Sequence, residues 1–129
     1  MLYVPDSHAL LWYVTADKRI GLNASAALSS VDAGENQAAI SPLVLAEILY
    51  LEEKARIHVK LGALIEQFKT NENYFVAPLT LAIVSNARRI PKVPDLFDRL
   101  IAATALTHNA VLLTRDSVFA DHSELEILW

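Results

Sequence analysis

The chain contains no cysteine. Disulfide scaffolds, thiolate zinc sites and cysteine nucleophiles are thereby excluded, and a reducing compartment such as the cytoplasm is the natural expectation. Clustered cations are also missing: Lys and Arg are scattered, and the formal net charge is −4. Bulk electrostatics therefore offer no broad attraction for a polyanion, so any such substrate must be met locally. No apolar run approaches the ~18 residues that cross a bilayer, and no membrane association is expected. The apolar opening carries no basic leader and is broken by Asp6 and His8, which separates it from a secretory signal. The four histidines, His8, His58, His108 and His122, lack ligand spacing and read as surface or loop residues.

What the sequence does have is apolar residues in many short runs, 53% of a chain of 129 residues, enough for one buried core. A single domain over 1–129 follows. Residues 2–4, 38–40, 74–76 and 111–113 are apolar runs of strand length, and 125–129 holds a possible last strand. Between them lie helical patterns. One follows Asp6, a second over 24–31 has Asn23 as its cap, and Gly34 marks the loop after it. Ser41-Pro42 is a helix start that runs to about residue 56, 61–68 is amphipathic, and Thr80 caps a helix reaching about residue 89. Pro91 and Pro94 bracket a turn before a helix over 95–108 that Asn109 ends. Short apolar strands alternating with helices imply crossover connections and a mainly parallel sheet covered on both faces. Ligands of such sheets sit at the carboxyl ends of the strands.

Four acids stand out against this pattern. Glu47 is the one charged residue in the apolar stretch 42–51, where a carboxylate needs a partner unless it lies on a solvent-facing stripe. Asp6 follows the first strand, and its alternative role is to cap the next helix. Asp116 stands in the same way after the strand at 111–113, with a turn residue as its alternative. Asp95 and Asp98 share the first turn of one helix; Asp95 has the stronger claim to be the cap, and the small residues after Asp98 allow close packing. Each acid alone has a structural explanation. Together, three beside strand ends or helix starts and one inside an apolar helix suggest one site. Two carboxylates ~5 Å apart repel by about 3 kcal/mol at an effective dielectric of ~20, so a cluster calls for a cation. Hard oxygen ligands suit Mg2+ or Mn2+.

Three segments carry a family resemblance: Tyr3-Val4-Pro5-Asp6-Ser7-His8-Ala9-Leu10-Leu11-Trp12; Ser41-Pro42-Leu43-Val44-Leu45-Ala46-Glu47-Ile48; and Asp95-Leu96-Phe97-Asp98-Arg99-Leu100-Ile101-Ala102-Ala103-Thr104-Ala105 leading into Leu113-Thr114-Arg115-Asp116. In this order they resemble the PIN-domain ribonucleases, and among them the VapC-like toxins of toxin–antitoxin pairs, over nearly the whole chain. The resemblance implies an α/β, PIN-like three-layer sandwich with a mainly parallel central sheet flanked by helices. It also implies a magnesium- or manganese-dependent endoribonuclease whose catalytic and metal-binding residues are Asp6, Glu47, Asp98 and Asp116. Asp95 would be an accessory, and Ser7 and Thr114 would support metal or water. The implied partners are RNA, a second copy of the chain and a small antitoxin that occupies the site. Two positions depart from the family pattern. Pro5 replaces an aliphatic residue and can end the first strand early, shifting Asp6, and Leu96 stands where similar sequences often have proline.

Arg99 and Arg115 adjoin site acids and can contact phosphate, while Lys18, Arg19, Arg88, Arg89 and Lys92 can guide flanking RNA or serve as surface charges. Trp12 and Tyr13 read as core, with an interface as the alternative. A module that keeps the fold without chemistry is the competing function. A phosphatase or receiver domain using an aspartate is disfavoured, because the phosphatase's second aspartate is replaced by His8 and the lysine each class needs after a later strand is missing.

Overall fold

The computed structural model describes residues 1–129. Its strands are Leu2–Pro5 (β1), Gln37–Ile40 (β2), Tyr74–Val76 (β3), Val111–Leu113 (β4) and Ile127–Leu128 (β5). They form one sheet in the order β3-β2-β1-β4-β5, with every neighbouring pair parallel. The helices that flank it are Ser7–Val14 (α1), Leu22–Asp32 (α2), Pro42–Glu53 (α3), Leu61–Thr70 (α4), Leu81–Asn86 (α5) and Leu96–Thr107 (α6). This is the expected PIN-like α/β architecture. None of the helices is long and apolar enough to cross a membrane.

The strand order explains where a ligand belongs. From β1 the chain moves outward through β2 to β3, then returns past both to place β4 on the other side of β1. The carboxyl ends of β1 and β4 thus flank the point where the winding reverses, the place where an open parallel sheet leaves a crevice. Val4, Ile40, Leu112 and Leu113 are fully or almost fully buried here, and α6 lays Ala102, Ala103 and Ala105 against the sheet. Those three methyls let the helix approach closely enough to bring its first turn to the crevice. The other end of α6 closes as its sequence indicates: Asn109 adopts φ 55°, and Ala110 N–H donates to the Ala105 carbonyl at 2.9 Å. The left-handed residue satisfies carbonyls that the last turn leaves open.

Several boundaries differ from the sequence expectation. Pro5 is the last residue of β1 but does not cut it short: it pairs with Leu113, and Asp6 N–H donates to the Leu113 carbonyl at 3.0 Å. Alternation along the strand points the missing Pro5 donor at β2, where the recorded register stops at Tyr3. The cost of the proline therefore falls on the β2 side, away from Asp6. Helix α2 is capped by Gly21 rather than Asn23, which lies one residue inside it. A Cβ at Gly21 would lie 2.5 Å from the backbone carbonyl carbon of Trp129, so close chain approach takes precedence over side-chain capping there. Helix α3 stops at Glu53 because Ala55 turns left-handed at φ 53°. The residues after α5, Ala87–Arg89, tighten into a 3-10 turn, and β5 keeps only two of the five expected residues.

At the amino-terminal edge of the sheet one carboxylate draws three elements together. Asp32, at the end of α2, accepts from the Tyr13 hydroxyl of α1 and from the Tyr74 hydroxyl of β3, the latter at 2.8 Å. Burial and then these bonds hold both tyrosine hydroxyls above their usual pKa. Tyr13 is thus half in the core and half in this network, while Trp12 is core as expected.

Candidate active site

All five acids singled out in the sequence line one cleft of about 770 Å³ at the carboxyl edge of the sheet. They arrive from four directions. Asp6 follows β1, Glu47 lies midway along α3, Asp95 and Asp98 open α6, and Asp116 follows β4. The structural alternatives weighed for three of them are also met. Asp6 accepts from Ala9 N–H at 2.8 Å and caps α1. Asp95 accepts from Asp98 N–H at 3.0 Å and caps α6. Asp116 accepts from Val118 N–H at 3.0 Å and caps a 3-10 turn over Ser117–Phe119. Cap and cleft residue are one role here: a cap fixes one carboxylate oxygen on backbone and leaves the second free.

Glu47 is held differently. It is half-buried, and the Ser7 hydroxyl donates to its Oε2 at 2.5 Å. Ser7 is itself 5% exposed, so α1 and α3 are cross-linked by a bond inside the cleft. Thr114, almost fully buried, hydrogen-bonds Asp6 and receives the N–H of Asp116 at 3.2 Å. Ser7 therefore orders Glu47, and Thr114 orders Asp6 and the backbone at Asp116.

The electrostatics follow from this convergence. Burial first, then the negative charges of Asp95, Glu47, Asp6 and Asp116, push the Asp98 carboxyl up to about 6 from 3.8. Asp6 is also raised, mainly by burial, against the opposing pull of its Thr114 and Ala9 bonds and of His8. One carboxylate that feels four others is a site short of positive charge. As the side chains stand, no three carboxylates or histidines already grip a common point. The donor set nevertheless fits a hard divalent cation: Asp6, Glu47, Asp98 and Asp116 offer only oxygen, and Glu47, Asp98 and Asp116 each retain an oxygen that no protein group fills.

The expected basic residues part company. Arg115 lines the cleft. Arg99 turns away, its Nε donating to the Ala87 carbonyl at 2.8 Å. Arg89 pairs with Glu124 and Arg19 with Asp17, while Lys18, Arg88 and Lys92 are exposed. Sequence reasoning missed His8, Tyr50 and Phe97, all on the cleft wall. His8 had a visible signal, since it precedes Trp12 by one helical turn; the two rings meet at a tilt of 39° with centroids 5.0 Å apart. Tyr50 and Phe97 resembled ordinary helix residues and gave none.

Comparison with known proteins agrees with this geometry. The family model described as PIN domain matches residues 3–125. Ribonuclease VapC22 of Mycobacterium tuberculosis is 28% identical over 119 residues, covering 91% of this chain and 88% of the relative. A DNA-bound VapBC structure from Salmonella typhimurium superposes with a TM-score of 0.73 at 17% identity, over 99% of this chain and 98% of that one. VapBC2 of Rickettsia felis, bound to a promoter fragment, gives 0.71 at 18% identity over the same shares. A toxin–antitoxin complex from Klebsiella pneumoniae gives 0.66 at 21% identity, over 99% and 95%.

Proposed function

The chain belongs to the PIN-domain family, and from that premise we propose that it is a metal-dependent endoribonuclease, the toxin of a toxin–antitoxin pair. The observation that carries this reading is the convergence of Asp6, Glu47, Asp98 and Asp116 from separate elements onto one cleft, where burial and then the neighbouring charges raise the Asp98 carboxyl to about 6. Such repulsion opposes folding and is relieved by a cation. When bound, magnesium or manganese supplies charge neutralisation for a phosphodiester and acidifies water for in-line attack.

The chain's own groups do the rest. The caps at Asp6 and Asp116 pin each carboxylate by one oxygen, so the two flank the cleft in fixed directions. Ser7 holds Glu47 against the wall of α1 and can keep its bond while the other carboxylate oxygen turns to a ligand. Asp98 shares its first turn with Asp95, whose negative charge raises its proton affinity. The cleft also has apolar lining, from the buried Ile101 and from Phe97, which stands half-exposed.

The relatives at hand are a ribonuclease and toxin–antitoxin complexes, which supports RNA as substrate and a small antitoxin as partner. Pairing with a second copy is supported by apolar side chains left exposed on β3 and α5, among them Phe75, Val76, Leu81 and Val84. The competing reading, a module without chemistry, draws only on the absence of three side chains already closed on one point. One experiment decides between them. Incubated with RNA in manganese or magnesium, the protein should yield internal cuts that excess EDTA abolishes. Intact RNA in both ions overturns the enzymatic reading, and cutting that persists in EDTA overturns its metal dependence.

A further inference from the structure

Beside the acids, the cleft is lined by two nitrogen bases, His8 and Arg115, and both stand on one indole. The Arg115 guanidinium carbon is 4.5 Å from the centre of the Trp12 ring, and the His8 ring is 5.0 Å from it. Trp12 is only 6% exposed and is met edge-on by Trp129 at 5.9 Å. An indole fixed on several sides is a rigid seat, and a cation on its face is held by the ring quadrupole while keeping its charge.

What distinguishes Arg115 from the other arginine on this indole is that it pairs with no carboxylate. Arg19 uses the same indole, at 4.7 Å, but its guanidinium is committed to Asp17 through bonds of 2.8 and 3.1 Å. Arg89 is bound to Glu124 and Arg99 to a carbonyl. Arg115 stands next to Asp116 in sequence and at the wall of an acidic cleft, yet no carboxylate lies within ion-pair distance of it. Stacking on Trp12 draws the guanidinium aside from the acids. A polyanion approaching five carboxylates is repelled by each of them, so some group at the rim must hold it in place. A planar guanidinium with its donors uncommitted fits phosphate in two-pronged fashion.

We infer that Arg115, seated on Trp12, receives a backbone phosphate of the RNA beside the one being cut. The assignment rests on the ribonuclease reading for its ligand. It places Arg115 as a substrate-positioning residue and leaves the reacting phosphate to the acids.

The test uses a fluorescently labelled single-stranded RNA and the full chain, as wild type, Arg115→Ala, Arg115→Lys and Trp12→Phe. Binding is followed by anisotropy in EDTA across a salt series, and cleavage by steady-state kinetics in manganese. Arg115→Ala should weaken binding and raise KM by about tenfold, hold kcat within roughly twofold, and flatten the slope of log Kd against log salt by about 0.7. A merely structural role would not change that slope. Arg115→Lys should recover the slope with partial affinity, and Trp12→Phe should retain the slope with several-fold weaker binding. Unchanged affinity and slope in Arg115→Ala overturn the inference even if the wild type cleaves RNA, as does a fall in kcat with Kd unchanged. Binding that depends on Arg115 in a protein that does not cleave supports the inference and overturns the nuclease reading. A wild type that neither binds nor cleaves overturns both.

Discussion

The two edges of the sheet treat carboxylates in opposite ways. At the amino-terminal edge Asp32 receives two tyrosine hydroxyls and ties α1, α2 and β3 together. Around the carboxyl edge five acids share one cleft, and Asp98 is pushed up to about 6 by burial and by its neighbours' charge. One edge spends its negative charge on the fold; at the other it meets no cationic partner, and under the proposed function a cation would take it up. Under that function, stability and chemistry are separated along the strand direction, by which groups face each carboxylate.

The sharpest break of this contrast is removal of a charge from the carboxyl edge. Asp6→Asn and Asp98→Asn should each lower RNA cleavage by roughly 10³-fold, the scale of losing a transition-state contact. Melting temperature should hold or rise, because repulsion is relieved. Full cleavage in both variants would mean that the cleft is misassigned. A smaller effect, of opposite kind, is expected at the other edge. Asp32→Ala leaves the partly buried Tyr74 hydroxyl without its acceptor and should cost about 2 kcal/mol, or ~8 °C in melting temperature, with cleavage per folded molecule retained. Loss of cleavage without loss of stability would collapse the distinction between the edges.

Smallest is the pH response of the metal-free protein. Because the folded pKa of Asp98 is raised from 3.8 to about 6, the folded state holds a proton through that window that the unfolded state has released. Stability therefore falls as pH rises through it, and Asp6, also raised, acts in the same direction. In EDTA the melting temperature should drop by ~4 °C between pH 5 and pH 7, about 1 kcal/mol after allowance for solvent screening of a half-exposed group. Added manganese should cancel the drop, and Asp98→Asn should flatten it. A melting temperature that climbs over this range would show that the acids do not repel one another as described.

The fold was legible wherever a strand is apolar and a helix start carries its cap, as at Ser41-Pro42, Thr80 and Asp95. Legibility failed where a distant contact set the boundary. Gly21 caps α2 because Trp129 lies against it, a reason that no local window contains. Pro5 was read as a strand breaker, since a single strand does not reveal which neighbour its missing donor would have faced. At the site, the identities of the acids were legible and their competing explanations were not exclusive. Asp6, Asp95 and Asp116 are caps and cleft residues at once. The fates of the arginines were hidden, because which carboxylate or ring each one meets is decided by the tertiary structure alone.

The placement of β4 directly beside β1 has a consequence for how the protein is made. Asp6 is made well before Asp116, and the wall of the cleft that follows β4 is missing until β4 pairs with β1. A ribosome partway through this chain carries the first carboxylates with no working site. If the protein cuts RNA, its own message and the translating machinery are spared until β4 has been made and docked, and a partner already present could meet the nuclease as the cleft first becomes whole.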